Sequence, residues 1–276
     1  MKKWFAVIGD PIEHSKSPEM HNTWFEEMNI DATYIPIHVK PEQLEEAVSS
    51  LKLLGANGWN VTIPHKETII PFLDELDELA EKMGAVNTVV RTEQGKLKGY
   101  NTDGKGFVHS LEEAIGNQHR EKQVLIVGAG GAARGIAFAL KQYGYKNISI
   151  ANRTIGKAEA IINELEIGSA INLLQAEQTL DSFEIIIQAT SAGLANGDFQ
   201  LPFSLEKLQP EAIVADIVYN PLKTYFLNSA EKLGARTVNG LGMFVHQGAI
   251  AFEHWLKQYP NTNSMIKRLT ERLEGE

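Results

Sequence analysis

Cysteine is absent from all 276 residues, so disulfides, thiolate nucleophiles and Cys-ligated zinc are excluded. A surplus of positive charge is missing as well: 26 Lys+Arg stand against 35 Asp+Glu, a formal net charge of -9. Sequence-independent nucleic-acid binding needs a basic surface, so that class falls away, while a local basic site for one small anion does not. Long apolar runs are lacking too. The N-terminal MKKWFAVIGD stops at Gly9-Asp10-Pro11, too short for a signal-peptide core or a bilayer span. The expectation is a soluble cytoplasmic protein with no nucleic-acid or membrane partner. No two of the eight histidines form an HExxH spacing, and no metal is expected.

What is present is a globular composition, 43% hydrophobic and 22% charged, on a chain long enough for two modest domains. Strands and helices alternate. WFAVIG (4–9) reads as a strand, Ser17-Pro18 opens a helix with Met20, Trp24 and Met28 on one face, and YIPIHV (34–39) is a second strand. A helix over 41–55, strand WNVTI (59–63), a helix from Pro64, an acidic helical stretch through Lys82 and strand NTVVRT (87–92) follow, with a turn at Glu93-Gln94-Gly95. A second series begins at 123: VLIVG, helix 131–143, ISIAN, helix 155–166, IIIQAT (185–190), IVADIV (213–218), helix 222–233 and RTVN (236–239), then a helical tail from 241. This is the grammar of βαβ units and mostly parallel sheets, here two of them.

The stretch VLIVGAGGAARG (124–135) carries the first chemical signal. Gly128, Ala129, Gly130, Gly131, Ala132 and Ala133 match the dinucleotide fingerprint with alanine in the third place, after a strand and before a helix. Gly128 permits the tight turn, Gly130 lets backbone approach a pyrophosphate, and small Ala133 allows close helix packing. The helix start offers unpaired N–H groups and its positive dipole end. After the next strand an acid would hold a free ribose 2′-hydroxyl, yet Asn152, Arg153 and Thr154 stand there, with Lys157 one helical turn on. Two cations suit a 2′-phosphate that a carboxylate would repel, and the cofactor expected is NADP(H).

The first hundred residues hold three polar clusters: HSKSP (14–18), NVTIPHKE (60–67), and the pair AVNT (85–88) with GYNTDG (99–104). Each falls at a strand end or in the loop after it, the edge where open α/β sheets bind ligands. Asn60, Thr62, Asn87 and Asp103 are hydrogen-bonding groups and Lys66 is their ionisable partner, a set suited to a small polyhydroxylated molecule.

These motifs, with NRT (152–154), ATS (189–191) and NGLGM…Q (239–247) in the same order, resemble the shikimate dehydrogenase family over essentially the whole chain. The resemblance implies reversible NADP-linked interconversion of 3-dehydroshikimate and shikimate, a step of aromatic amino-acid biosynthesis. It implies an α/β fold of two domains: an open α/β substrate domain over 1–102, a Rossmann-like NADP domain over 103–239, and C-terminal helices 240–276 packing back on the first. Position by position, Ser15, Ser17 and Tyr219 would bind the substrate carboxylate. Thr62, Asn87, Asp103 and Gln247 would surround the ring, Asn60 is counted with them as substrate-binding from its polar cluster, and Lys66 with Asp103 would be catalytic. The 128–133 loop, Asn152, Arg153, Thr154 and Lys157 would hold the adenosine phosphate end, with Thr190, Ile217 and Gly240 nearer the nicotinamide. His65 is expected to be a structural neighbour.

A ketone reduced by hydride leaves an alkoxide to be protonated, and Lys66 can supply the proton. The residues allow Lys66 as sole donor, as partner in a relay with Asp103, or as electrostatic stabiliser. A quinate/shikimate dehydrogenase using NAD is the nearest rival, since VYNP (218–221) occurs there too, but its acid after the second strand is absent. A non-catalytic NADP-responsive protein would be expected to have lost the Lys66/Asp103 pair, which is intact. The expected partner is the small substrate, and the assembly a monomer or homodimer.

Overall fold

A computed structural model describes residues 2–193 and 201–275. The chain divides into two compact units, Met1–Thr102 with Gln247–Met265, and Asp103–His246 with Ile266–Glu276.

The first unit runs β1 (Lys3–Gly9), α1 (Ser17–Glu27), β2 (Ala32–His38), α2 (Leu44–Leu53), β3 (Gly58–Val61), α3 (His65–Thr68), β4 (Glu75–Leu76), α4 (Glu78–Met83), β5 (Thr88–Arg91) and β6 (Leu97–Tyr100). Its six strands lie in the order β2-β1-β3-β5-β6-β4. The sheet is mixed: β5 runs antiparallel to both β3 and β6, and the tight turn after Arg91 folds the chain straight back from β5 into β6. The helix expected from Pro64 is a single turn, α3, and α2 begins at Leu44 after a short 3-10 turn at Pro41–Gln43. Ile8, Trp59, Val61, Val89 and Leu97 fill one core face, where Trp59 and Val89 are fully buried.

The second unit runs α5 (Asp103–Ile115), β7 (Gln123–Val127), α6 (Gly131–Gln142), β8 (Asn147–Ala151), α7 (Ile155–Leu165), β9 (Ser169–Ile171), α8 (Leu173–Gln178), β10 (Ile185–Gln188), β11 (Ile213–Asp216), α9 (Tyr225–Lys232) and β12 (Arg236–Val238). All of its strand pairs are parallel, in the order β12-β11-β10-β7-β8-β9. Counted from β7, that is the doubly wound order 3-2-1-4-5-6, whose direction reverses between β7 and β10. A parallel sheet needs helices on both faces, which is why Val124 to Val127 and Ile185 to Ile187 are apolar at every position and fully buried.

Two helices end the chain, α10 (Leu241–Leu256) and α11 (Thr262–Gly275). The expectation that 240–276 goes as a whole with the first unit differs from the observed division. Residues before Gln247 pack within the second unit, where His246 Nε2 meets Glu113 Oε2 at 2.5 Å. From Gln247 the helix serves the first unit, where Trp255 donates its indole N–H to the Val89 carbonyl at 2.9 Å. No described helix is long and apolar enough to cross a membrane.

Candidate active site

In the second unit, a cavity of about 480 Å³ opens at the carboxyl ends of β7, β8, β10 and β11, across the reversal point. Gly128 makes the turn out of β7 at φ +119°, and a Cβ there would come within 2.9 Å of Thr190 Cγ2 and 3.0 Å of the Ala189 carbonyl oxygen. Glycine is therefore required by backbone angle and by contact alike. Added Cβ atoms at Gly130 and Gly131 would meet no atom of the described residues within 4 Å, so the backbone there is bare toward the cavity. Among the described residues no side chain caps the start of α6, leaving its first N–H groups for an anion.

Asn152, Arg153, Thr154 and Lys157 line the same cavity from the end of β8, and Arg153, Thr154 and Lys157 are exposed. Asn152 donates its side-chain amide to the Thr154 carbonyl at 2.9 Å, which shapes the turn beneath the two cations. Thr190 and Ile217 line the cavity as well. Two expected residues do not. Ala133 is fully buried in α6, the packing place its size suits. Gly240 lies under the wall, where a Cβ would come within 2.2 Å of the Ile217 carbonyl oxygen. Ala189, Ser191 and Val218 also line the cavity; the sequence marked them within the ATS (189–191) and VYNP (218–221) motifs without giving them a role. A dinucleotide fits this donor set: an open glycine floor, an uncapped helix start and exposed cations at one end.

In the first unit, a chain of hydrogen bonds links four of the polar residues read from the sequence, Ser17, Asn60, Asn87 and Gln247. The Tyr34 hydroxyl meets the Ser17 side chain and donates to Asn60 Oδ1 at 2.7 Å. Asn60 Nδ2 donates to the Asn87 carbonyl at 3.1 Å and to Thr88 Oγ1 at 3.0 Å. Asn87 Nδ2 then donates to Thr102 Oγ1 at 2.9 Å and to Gln247 Oε1 at 3.3 Å, while its Oδ1 accepts the Thr102 N–H at 2.9 Å. Both donors and the oxygen of Asn60 take part in this buried network, which braces Asn87. Tyr34 is the link that sequence reading missed: it sits in mid-strand on β2, buried, and looks there like an ordinary core aromatic. Burial raises its hydroxyl pKa well above the usual value, keeping it a neutral donor.

Ser15 Oγ accepts the Ser17 N–H at 3.3 Å, so the two serines form one small turn ahead of α1. Thr62 and Lys66 are half-buried at the end of β3 and in α3, and the Lys66 carbonyl is fixed by the Val86 N–H at 2.7 Å. His65 is fully buried with Nε2 against the Val39 carbonyl at 2.6 Å, a structural place. Asp103 heads α5, the residue after Thr102, so the covalent chain puts it next to the Asn87 network. Tyr219 follows β11 in the second unit, half-buried and stacked on Phe244 with ring centroids 4.9 Å apart, and burial raises its phenol pKa.

The chain matches the shikimate dehydrogenase substrate binding domain over residues 7–89, shikimate/quinate 5-dehydrogenase over 110–196, and the shikimate 5′-dehydrogenase C-terminal domain over 240–270. A shikimate dehydrogenase (NADP(+)) of Lysinibacillus sphaericus is 70% identical to it over 275 residues, covering 100% of both chains. A crystal structure of a shikimate dehydrogenase in complex with NADP+ has a TM-score of 0.90 at 42% identity, over 99% of this chain and 96% of that one. The shikimate 5-dehydrogenase of Listeria monocytogenes, in complex with shikimate and NAD, has a TM-score of 0.89 at 36% identity, over 98% and 96%. Matched along its length in sequence and in fold, this chain belongs to the shikimate dehydrogenase family.

Proposed function

We propose that the chain catalyses the reversible NADP-dependent reduction of 3-dehydroshikimate to shikimate, with the substrate on the first unit and the cofactor on the second. The observation that carries the cofactor choice is the pair of exposed cations, Arg153 and Lys157, beside a glycine floor, where an acid would have favoured NAD. NADPH supplies the hydride when bound. Everything else is done by the chain's own side chains.

Ser15 and Ser17 offer hydroxyl donors to the substrate carboxylate, joined by Tyr219, whose raised pKa keeps it protonated. Thr62, Asn87 and Gln247 orient the ring hydroxyls, and Asn87 is held for that task by Asn60, Thr88 and Thr102. Lys66 and Asp103 handle the proton that the new alkoxide needs. Thr190, Ile217 and Gly240 shape the nicotinamide end of the cavity. The substrate division is residues 1–102 with the returning part of the C-terminal helices, and the cofactor division begins at 103. We take the protein to be a cytoplasmic monomer or homodimer.

Four assays test the reading: shikimate and quinate, each with NADP and with NAD. The expected result is the highest kcat/KM for shikimate with NADP. A maximum for quinate with NAD would replace this assignment with the NAD-linked rival. Tight NADP binding with no turnover of either acid would point to a non-catalytic binding protein.

A further inference from the structure

Three buried polar groups lie under the β10–β11 side of the cofactor cavity without lining it. Gln188 ends β10, Asp216 ends β11, and the two are register partners with 0% and 1% exposure. A buried amide and a buried carboxylate are costly unless their hydrogen bonds are made. Here the bonds go to the loops that form the cavity wall. Gln188 Nε2 donates to the Ala192 carbonyl at 2.9 Å and to Asp216 Oδ1 at 3.3 Å, and Gln188 Oε1 accepts the Thr190 N–H. Asp216 Oδ1 also accepts the Val218 N–H at 2.9 Å, and Oδ2 accepts the Thr224 hydroxyl at 2.7 Å. Thr224 in turn caps α9 by accepting the Leu227 N–H at 3.3 Å. Both loops that carry the wall residues Ala189, Thr190, Ser191, Ile217 and Val218 are therefore tied to one buried point.

Resting on the reading of this cavity as the NADP site, we propose that Gln188, braced by Asp216, is a positioning residue for the nicotinamide half of the cofactor. It acts through the backbone of Thr190–Ala192 and Val218 and touches no ligand itself. The strand order separates its effect from that of the phosphate-reading cations. Arg153 and Lys157 follow β8, and β8 to β11 spans three strand spacings, roughly 14 Å. Loosening the β10–β11 wall should leave the 2′-phosphate end unchanged.

Calorimetric titration of the full chain with NADP, NAD and adenosine 2′,5′-bisphosphate tests this, because the last compound carries the phosphate end and lacks nicotinamide. Gln188→Met keeps the side-chain length and removes the amide. It should weaken NADP and NAD by the same factor, about tenfold, and change the bisphosphate by less than about twofold. Thr224→Val keeps shape and removes one donor to Asp216; it should shift NADP in the same direction by about threefold, and it decides the matter if Gln188→Met does not fold. A folded variant that binds NADP with wild-type affinity overturns the proposal. So does one that weakens the bisphosphate as much as NADP, since that pattern belongs to general loosening. A wild-type chain that binds neither NADP nor the bisphosphate overturns the cofactor assignment itself, which keeps the two failures apart.

Discussion

His21 lies flat against Tyr34, ring centroids 4.4 Å apart and planes 12° from parallel. It is fully buried, and among the described residues neither ring nitrogen has a hydrogen-bond partner. Burial lowers its pKa from 6.5 to about 3. Between those values the unfolded chain binds a proton that the native chain does not, so stability falls as pH drops through this window, by about 1.4 kcal/mol per pH unit. Asp216 works the other way: burial raises its carboxyl from 3.8 to about 6, so its contribution is lost as pH rises through that range. Comparing wild type with His21→Phe cancels the Asp216 effect. Urea unfolding at about pH 7.5 and about 4.5 should show a smaller acid loss in the variant. Equal losses would place the acid sensitivity elsewhere.

The Lys66 carbonyl accepts the Val86 N–H at 2.7 Å, so the backbone holds α3 in place whatever side chain stands at 66. Lys66→Ala and Asp103→Asn should each lower kcat by about a hundredfold or more with the circular dichroism spectrum unchanged. A folded Lys66→Ala enzyme with near-normal turnover would sink the proton-transfer role.

The two serines should separate. Ser15 is half-buried and outside the Asn60 network, whereas buried Ser17 also touches the Tyr34 hydroxyl. Ser15→Ala should raise KM for shikimate and leave NADP affinity and Tm alone. Ser17→Ala should raise KM and also cost about 1 kcal/mol of stability, read by denaturant titration. Weaker NADP binding with unchanged shikimate KM would reverse the assignment of the two units.

Arg153 should report the cofactor's phosphate. Removing it deletes a charge-assisted contact worth roughly 1.5–3 kcal/mol, or about ten- to a hundredfold in affinity. Arg153→Ala should raise KM for NADP strongly and for NAD little, with the gap widest at low salt because the cation is exposed. Equal losses with both cofactors would mean that Arg153 does not read the phosphate.

The central strands of the cofactor half and the helices between them were legible because their signals are local: unbroken apolar strands, a glycine turn and a small-residue helix; short β9 and α8 carried no such signal. The first unit was harder. The return strand β6 went unread because LKGY is short and polar at alternate places, although the turn before it was visible. In the second unit, helix α5 was hidden by Gly104 and Gly106 in its first turns, which look like loop residues. Gly104 is there because a Cβ would come within 2.2 Å of the Gly135 carbonyl oxygen, a fact about a partner helix that local propensity cannot carry. The candidate site residues stand out in the sequence as polar clusters at strand ends, but their hydrogen-bond partners do not. Asn60 and Asn87 differ in what their amides touch, and both are asparagines beside a strand.

Trp255 stacks on Phe5 with centroids 4.8 Å apart and occupies the space over Gly58, where a Cβ would come within 2.2 Å of its indole nitrogen. Phe252 completes the cluster against Trp24 and Phe25. During synthesis, then, the strands and helix of residues 1–102 leave the ribosome well before the aromatic pair that covers them. At ~5–20 residues per second the interval is roughly eight to thirty seconds, in which Phe5, His21, Trp24 and Phe25 lack their lid. The nascent substrate unit is a natural client for a holdase, and a chain stalled short of Phe252 would be an aggregation hazard even with its cofactor unit nearly whole.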